Sequence, residues 1–401
     1  MAGERDALTG EPLERRAIIS GAAQSDVGRR LYRTGIDLTV EAALGAIEDA
    51  GLTAADIDGV STYPGFGGSF GGAMGAELHE ALRLSLDWRS AGVETAGPLG
   101  AVHNAILAVA AGLARHVLVF RTVFEGSGGP LRPGGRGGGG GGMAGSAGPF
   151  QFMIPYGAAS AACWVACYAR RHMHDYGTTR TQLGAIAVNG RANAAANPKA
   201  IYTEPMTIDD YLAVRMVSEP LCLYDCDVPC DGSTAVVVSH RDYAPDAPAA
   251  AVGINAMGTA IRGRPSWDQF DDLTSMMMRH TAASMWERTE LTVADVDAAQ
   301  LYDGFSWLTL AWIEAMGFCG KGESGPFVEG GANIAPDGPA PLNTSGGQLS
   351  AGRLHGYGHL HEAVMQLRGT ANIGVPDCEV VAVGAGGGPE TGCLLLTKGP
   401  S

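Results

Sequence analysis

Positive charge is scarce in this chain. Against 42 Asp and Glu stand 27 Lys and Arg, a formal net charge of -15, and lysine occurs only at Lys199, Lys321 and Lys398. A phosphate backbone or an anionic bilayer needs a basic face, so nucleic acid and membrane surfaces are excluded as expected partners. No apolar run approaches the roughly 18 residues of a membrane span. The stretch around Ala105–Phe120 is interrupted by Arg115 and His116. Met1–Arg16 is charged and shows no signal-peptide pattern, so a cytoplasmic protein is expected.

Cysteine is sparse too: eight in 401 residues is no disulfide framework. Cys222, Cys226 and Cys230 recur every four residues in LCLYDCDVPCDG, but no second pair completes a structural zinc site, and a packing role is expected. Disorder is excluded as a global reading, because hydrophobic residues make up 46% of the chain and charged ones 17%.

What is present is a repeat. Residues 52–63 read LTAADIDGVSTY and residues 291–302 read LTVADVDAAQLY. Each copy follows a helical stretch, Leu38–Ala50 or Leu273–Thr289, and leads into an apolar strand. A looser correspondence follows in the same order. Glu94–Val119 runs from a Gly-rich turn through an apolar helix, with a strand at Val117–Thr122. Thr344–Val383 repeats that plan, with a helix at His359–Arg368 and a strand at Glu379–Val383. Each copy closes on a strand, Ser233–Ser239 and Thr391–Thr397. Ordered recurrence of strands and helices predicts a duplicated, layered α/β protein. The halves are 15–245 and 250–401, the first carrying an inserted loop region at 124–230. Within it, Gly126–Gly148 includes six consecutive glycines at Gly137–Gly142. It has little to bury and much entropy to lose, and no Gly-Lys-Ser/Thr follows, so a mobile loop is expected and not a phosphate cradle.

The two halves, the insertion and the segments LYDGF, GFCGKGE, PLNTSGGQLSAGR and PLCLYDCDVPCDGSTAVVVS resemble the sterol-carrier-protein-type, lipid-transfer-like thiolases over nearly the whole chain. The resemblance implies the thiolase fold, two duplicated halves in an α-β-α-β-α arrangement. Thiolases need a nucleophilic cysteine in a Cys-x-x-Gly turn, a Gly-His-Pro histidine and a second cysteine. Here those positions fall on Gly97, on Gly352-Arg353-Leu354 and near Val383–Gly384. Without a thiolate the usual Claisen route is closed. The three lysines lie outside the expected site turns, which disfavours a Schiff base. His355, His359 and His361 tempt as metal ligands, but Gly356 and Gly358 disfavour a helix there, and the resemblance starts the helix after them. No metal and no cofactor are expected; a CoA thioester would be the substrate.

Oxyanion donors that hold a tetrahedral adduct also hold an enolate, so retro-aldol cleavage of a β-hydroxyacyl-CoA remains open. Tyr302 and Tyr357 are the candidate proton-transfer residues, with Asp303 or His355 orienting them; the alternative for Tyr302 is a core residue, like Tyr63 in the first repeat. Arg191, Lys199 and Gly347 are the candidate CoA contacts; NGRANAAANPKA resembles the family stretch before the loop that covers the ligand, and the alternative for Arg191 and Lys199 is a solvated surface charge. His103 and Asn104 are expected to pack. The pattern is similar to the steroid side-chain-cleaving aldolases. That likeness implies a 17-hydroxy steroid with a short acyl-CoA side chain, cut to a ketone and propionyl-CoA. It also implies a homodimer core and a small OB-fold, zinc-ribbon (DUF35) partner. The alternatives are a non-catalytic acyl-CoA- or lipid-binding subunit, or a thiolase using Cys319 or Cys378.

Overall fold

The computed structural model describes residues 11–64, 74–92, 96–127, 151, 153–158, 160–262 and 270–400. The glycine-rich segment from residue 128 to 148 lies outside them. The first half runs β1 (Ala17–Gln24), α1 (Gly35–Asp49), β2 (Gly59–Thr62), α2 (Gly75–Leu82), β3 (Trp88–Ala91), α3 (Gly100–Ala110) and β4 (His116–Phe124). An insertion follows with α4 (Ala161–Tyr176), α5 (Arg180–Ala194), α6 (Ile208–Ala213) and the short pair β5 (Met216–Ser218) and β6 (Leu221–Cys222), before β7 (Asp231–His240). The second half holds β8 (Val252–Ala260), α7 (Met278–Trp286), β9 (Ala298–Leu301), α8 (Ser306–Met316), α9 (Ser324–Val328), α10 (Tyr357–Arg368), β10 (Val380–Gly387) and β11 (Glu390–Lys398).

Nine strands join in the order β3-β2-β4-β7-β1-β8-β11-β10-β9. The halves meet at the middle through two residue pairs, Ile18↔Gly253 and Ile19↔Val252. On either side the pairing is the same: β2 lies parallel to β4 as β9 does to β10, and β4 and β10 lie antiparallel to β7 and β11.

Side-chain alternation then assigns the faces. Ile19, Val117, Val119, Val236 and Val238 of one half share a core with Ile254, Val381, Val383, Leu394 and Leu396 of the other, and α3 and α10 fill the space between. α1 covers the outer face of the first half, whereas α7, α8 and the insertion cover that of the second. The result is the expected layered thiolase fold.

Physical chemistry explains the repeated turn. Thr53 donates its backbone N–H and hydroxyl to Asp56 at 2.8 and 2.7 Å, and Thr292 does the same to Asp295 at 2.7 and 2.9 Å. The second aspartate of each copy ties the turn to a neighbouring strand. Asp58 accepts from the backbone of Arg115 and His116 at β4, and Asp297 from Glu379 and Val380 at β10.

Three expectations change. The insertion is largely helical, because Trp164, Val165, Leu183 and Ile186 give α4 and α5 an apolar face against Trp307 and Trp312. α7 starts at Met278, later than the sequence pattern suggests, because Asp272 caps Thr274 and Ser275 and Met276 takes φ +48°. α10 starts earlier, at Tyr357: Gly356, at φ +83°, supplies the left-handed entry that glycine tolerates, and Gly358 sits inside the first turn. Among the described residues no helix is long and apolar enough to cross a membrane.

Candidate active site

Tyr63 and Tyr302 directly follow β2 and β9, and Tyr357 opens α10. Beside these residues sits a buried cation. Arg121 of β4 is 1% exposed; it donates to the Tyr63 carbonyl at 2.7 Å and to Nδ1 of His355 at 2.8 Å, and its guanidinium lies 5.2 Å from the Tyr63 ring centre. Tyr302 and Tyr357 are close enough to feel its charge.

The sequence candidates take distinct places. Tyr302 bridges the central core and the second half's outer core, its backbone N–H held by Gly384 O at 2.9 Å. Tyr357 is fully buried, and its hydroxyl has no hydrogen-bond partner. Burial pushes both phenols well above their ordinary range. For Tyr302 the Asp227 carboxylate adds to the rise; for Tyr357 the Arg121 charge opposes it. Both therefore stay protonated near neutrality and can donate. His355 has φ +50° and is pushed well below its usual value by burial and by the Arg121 and Arg353 charges.

Asp303 acts as a latch. Its carboxylate accepts from the backbone N–H of Gln348 at 2.8 Å and of Leu349 at 3.2 Å, and Nε2 of His359 lies 3.0 Å away. These bonds hold the π-helical turn Gly347–Ala351 against β9. Gly347 fits only as glycine: φ is +59°, and an added Cβ would lie 2.0 Å from Asp303 Oδ2. His355 and His359 thus turn to different partners.

Arg353 bridges Glu125 at 2.8 Å and Asp227 at 2.7 Å. Burial pushes the Asp227 carboxyl up to about 6 and raises Glu125 as well. Neither carboxylate, nor Arg121, nor Tyr63 stands out in the sequence as a site residue. One signal was there: an arginine inside the apolar strand HVLVFRTVF has no place in a core unless something uses its charge.

The turn at Gly97 has no room for a side chain. Gly97 has φ +64°, and a Cβ there would stand 2.9 Å from Glu390 O, in the turn between β10 and β11. At Gly384 a Cβ would meet the Trp312 ring at 2.9 Å. Burial also raises six of the eight thiols: Cys222 to about 11, Cys226, Cys319 and Cys378 to about 12, and Cys230 and Cys393 further still. Cys319 and Cys378 are packed into separate cores.

Of the CoA-contact candidates, Arg191 turns inward. It is 6% exposed, held between the Tyr202 and Tyr224 rings at 4.6 and 5.1 Å, and donates to Ser350 Oγ at 3.3 Å. Its charge is spent inside the fold. Lys199 and Gly347 line one pocket of about 230 Å³ with Leu354, His361 and Met365. Lys199 Nζ donates there to Gln24 O and Ser25 O at 2.9 and 3.0 Å. His103 packs, as expected, with Nε2 3.2 Å from Cys393 O.

Residues 260–393 match the family described as thiolase C-terminal domain-like. Over 95% of its length the chain is 34% identical to the steroid side-chain-cleaving aldolase of Thermomonospora curvata, covering 97% of that protein. It is 36% identical over 96% of its length to the 17-hydroxy-3-oxo-4-pregnene-20-carboxyl-CoA lyase of Mycobacterium tuberculosis, covering all of it. The solved structure of the Ltp2-ChsH2(DUF35) aldolase superposes with a TM-score of 0.86 at 32% identity, over 96% of this chain and 99% of that one. Fold, sequence and a site built of tyrosines and buried charge agree: the chain belongs to the thiolase superfamily and is a carbon–carbon lyase, an aldolase, within it.

Proposed function

We propose that the protein cleaves a β-hydroxyacyl-CoA by a retro-aldol reaction without a cysteine nucleophile. The observation that carries this reading is the buried, unpartnered Tyr357 hydroxyl beside Arg121, in a site whose nucleophile position is closed at Gly97. A buried polar atom without a partner is costly unless a ligand supplies one.

The hydroxyl proton of the substrate leaves through Tyr302 toward Asp227. The carbon–carbon bond breaks, one fragment becomes a ketone, and the electron pair passes to the thioester as an enolate. Tyrosine hydroxyls grouped around Arg121 donate to that negative charge, Tyr357 gives a proton to the α-carbon, and the proton held on Asp227 passes back to restore it. Asp303 sets the turn that frames the site, and His355 sits on Arg121 as an orienting group. The names of the relatives favour a 17-hydroxy steroid with a short acyl-CoA side chain, giving a 17-keto steroid and propionyl-CoA. Lys199 and Gly347 form part of the CoA path through their shared pocket.

Two assembly features belong to the same reading. A homodimer is favoured by β3, an edge strand with the exposed Leu107 and Leu113 lining a groove beside it. A small DUF35 partner is favoured by the superposed aldolase, whose name, Ltp2-ChsH2(DUF35), couples two components. The test is incubation of the chain with such a partner and a 17-hydroxy steroid acyl-CoA. Ketone and propionyl-CoA in equal amounts are expected; binding without products, or a covalent acyl-cysteine in the mass spectrum, overturns the proposal.

A further inference from the structure

We propose that Arg121 is a positioning residue: by donating to Nδ1 of His355 it fixes that imidazole as the neutral tautomer with its proton on Nε2, so His355 enters the site as a hydrogen-bond donor. The reason is chemical. A guanidinium has donors and no acceptor, so the 2.8 Å contact between Arg121 Nη2 and His355 Nδ1 leaves Nδ1 no proton of its own. The arginine cannot move away to relax the constraint, since its other terminal nitrogen is held by the Tyr63 carbonyl at 2.7 Å and its group is 1% exposed.

A second guanidinium, Arg353, faces the imidazole from its own loop, so both neighbouring charges oppose an imidazolium. Around Arg121 the other titratable groups are Tyr63 from β2, Tyr302 from β9, Tyr357 from α10 and Glu125 at the end of β4. His355 itself is locked from the backbone side by φ +50° and by the following Gly356, whose N–H donates to Gln348 Oε1 at 3.2 Å. The loop therefore delivers the ring to the guanidinium in one orientation. A histidine in this turn would otherwise be read as a base; here the fold makes it a donor.

The role in turnover rests on the lyase reading, but the tautomer does not, and the first readout is independent of activity. Histidine is labelled with 15N in the full chain, and His355→Asn identifies the resonance among the ten histidines. The expected spectrum shows a bare Nδ1 and a protonated Nε2, unchanged from about pH 8 to about pH 5.5 across the ordinary histidine range. A protonated Nδ1, or an imidazolium appearing in that window, overturns the proposal with no variant needed.

Arg121→Met is expected to show both tautomers and to lose about tenfold or more in kcat, with KM nearly unchanged. Arg121→Gln, which keeps an N–H donor, restores the single tautomer and much of kcat. A single Nε2–H tautomer persisting in Arg121→Met also sinks the proposal. Should the methionine variant fail to fold, the wild-type and glutamine spectra decide. A fixed tautomer with no effect of Arg121 on turnover would leave the geometry standing and count against the lyase chemistry alone.

Discussion

At the start of α3 the chain reads Gly97-Pro98-Leu99-Gly100; at the matching start of α10 it reads His355-Gly356-Tyr357. Both helices lie in the central layer, and both follow a left-handed glycine, Gly97 at φ +64° and Gly356 at φ +83°. Yet the first end is pressed against the start of β11 and these four residues offer no polar side chain, whereas the second presents a phenol and an imidazole to a buried guanidinium. Duplication supplied two matching helix ends, and polar side chains stand at only one of these two. A site can thus change reaction class while its backbone stays the same, because the scaffold fixes positions and the side chains fix the charge.

The largest test of this contrast is Tyr357→Phe. Loss of the donor is expected to cut kcat by roughly 10²- to 10⁴-fold. Because the hydroxyl has no partner in the folded chain, stability should stay level or rise slightly. Calorimetry beside kinetics separates the two, and near-wild-type turnover would refute the assignment.

Gly97→Cys attacks the other helix end. With φ +64° and the Glu390 carbonyl in the way, the new thiol should destabilise the protein and form no acyl adduct by intact mass. A trapped thioester would break the comparison. Gly347→Ala should cost about 1–3 kcal/mol for its left-handed backbone alone, and more for the clash with Asp303, as read by urea unfolding.

The Asp227 carboxyl, pushed up to about 6 from 3.8, adds a pH signature. Between those values the folded state holds a proton that the unfolded chain has released. This group's contribution to stability therefore falls as pH rises through the window and is most favourable below it. Asp227→Asn should remove that slope from a series of unfolding curves. The smallest effect is a symmetric one: Thr53→Ala and Thr292→Ala should each cost about 1 kcal/mol, nearly equally, since both hydroxyls serve the same turn.

Much of the fold was legible in advance because its signals are local. The paired Thr-x-x-Asp turns, the apolar strands and the glycine turns each act within a few residues, and their order revealed the duplication. The site was legible in part. Tyr302, Asp303, His355 and Tyr357 stood out by their place in the thiolase resemblance, but Arg121, Asp227 and Glu125 did not, since nothing in VFRTVF says what the arginine faces. The burial of Arg191 was illegible for the opposite reason: a cation beside asparagines reads as surface, and only the packing of Tyr202 and Tyr224 encloses it.

The sequence alone determined the layered architecture and the glycine at position 97, because periodicity and residue type are properties of a string. Only the tertiary structure decided which protons are held and by whom. Desolvation and Coulomb forces depend on distances between Arg121, Arg353, the carboxylates and the tyrosines, and residues more than two hundred positions apart, such as Arg121 and His355, meet only when the halves close on one another.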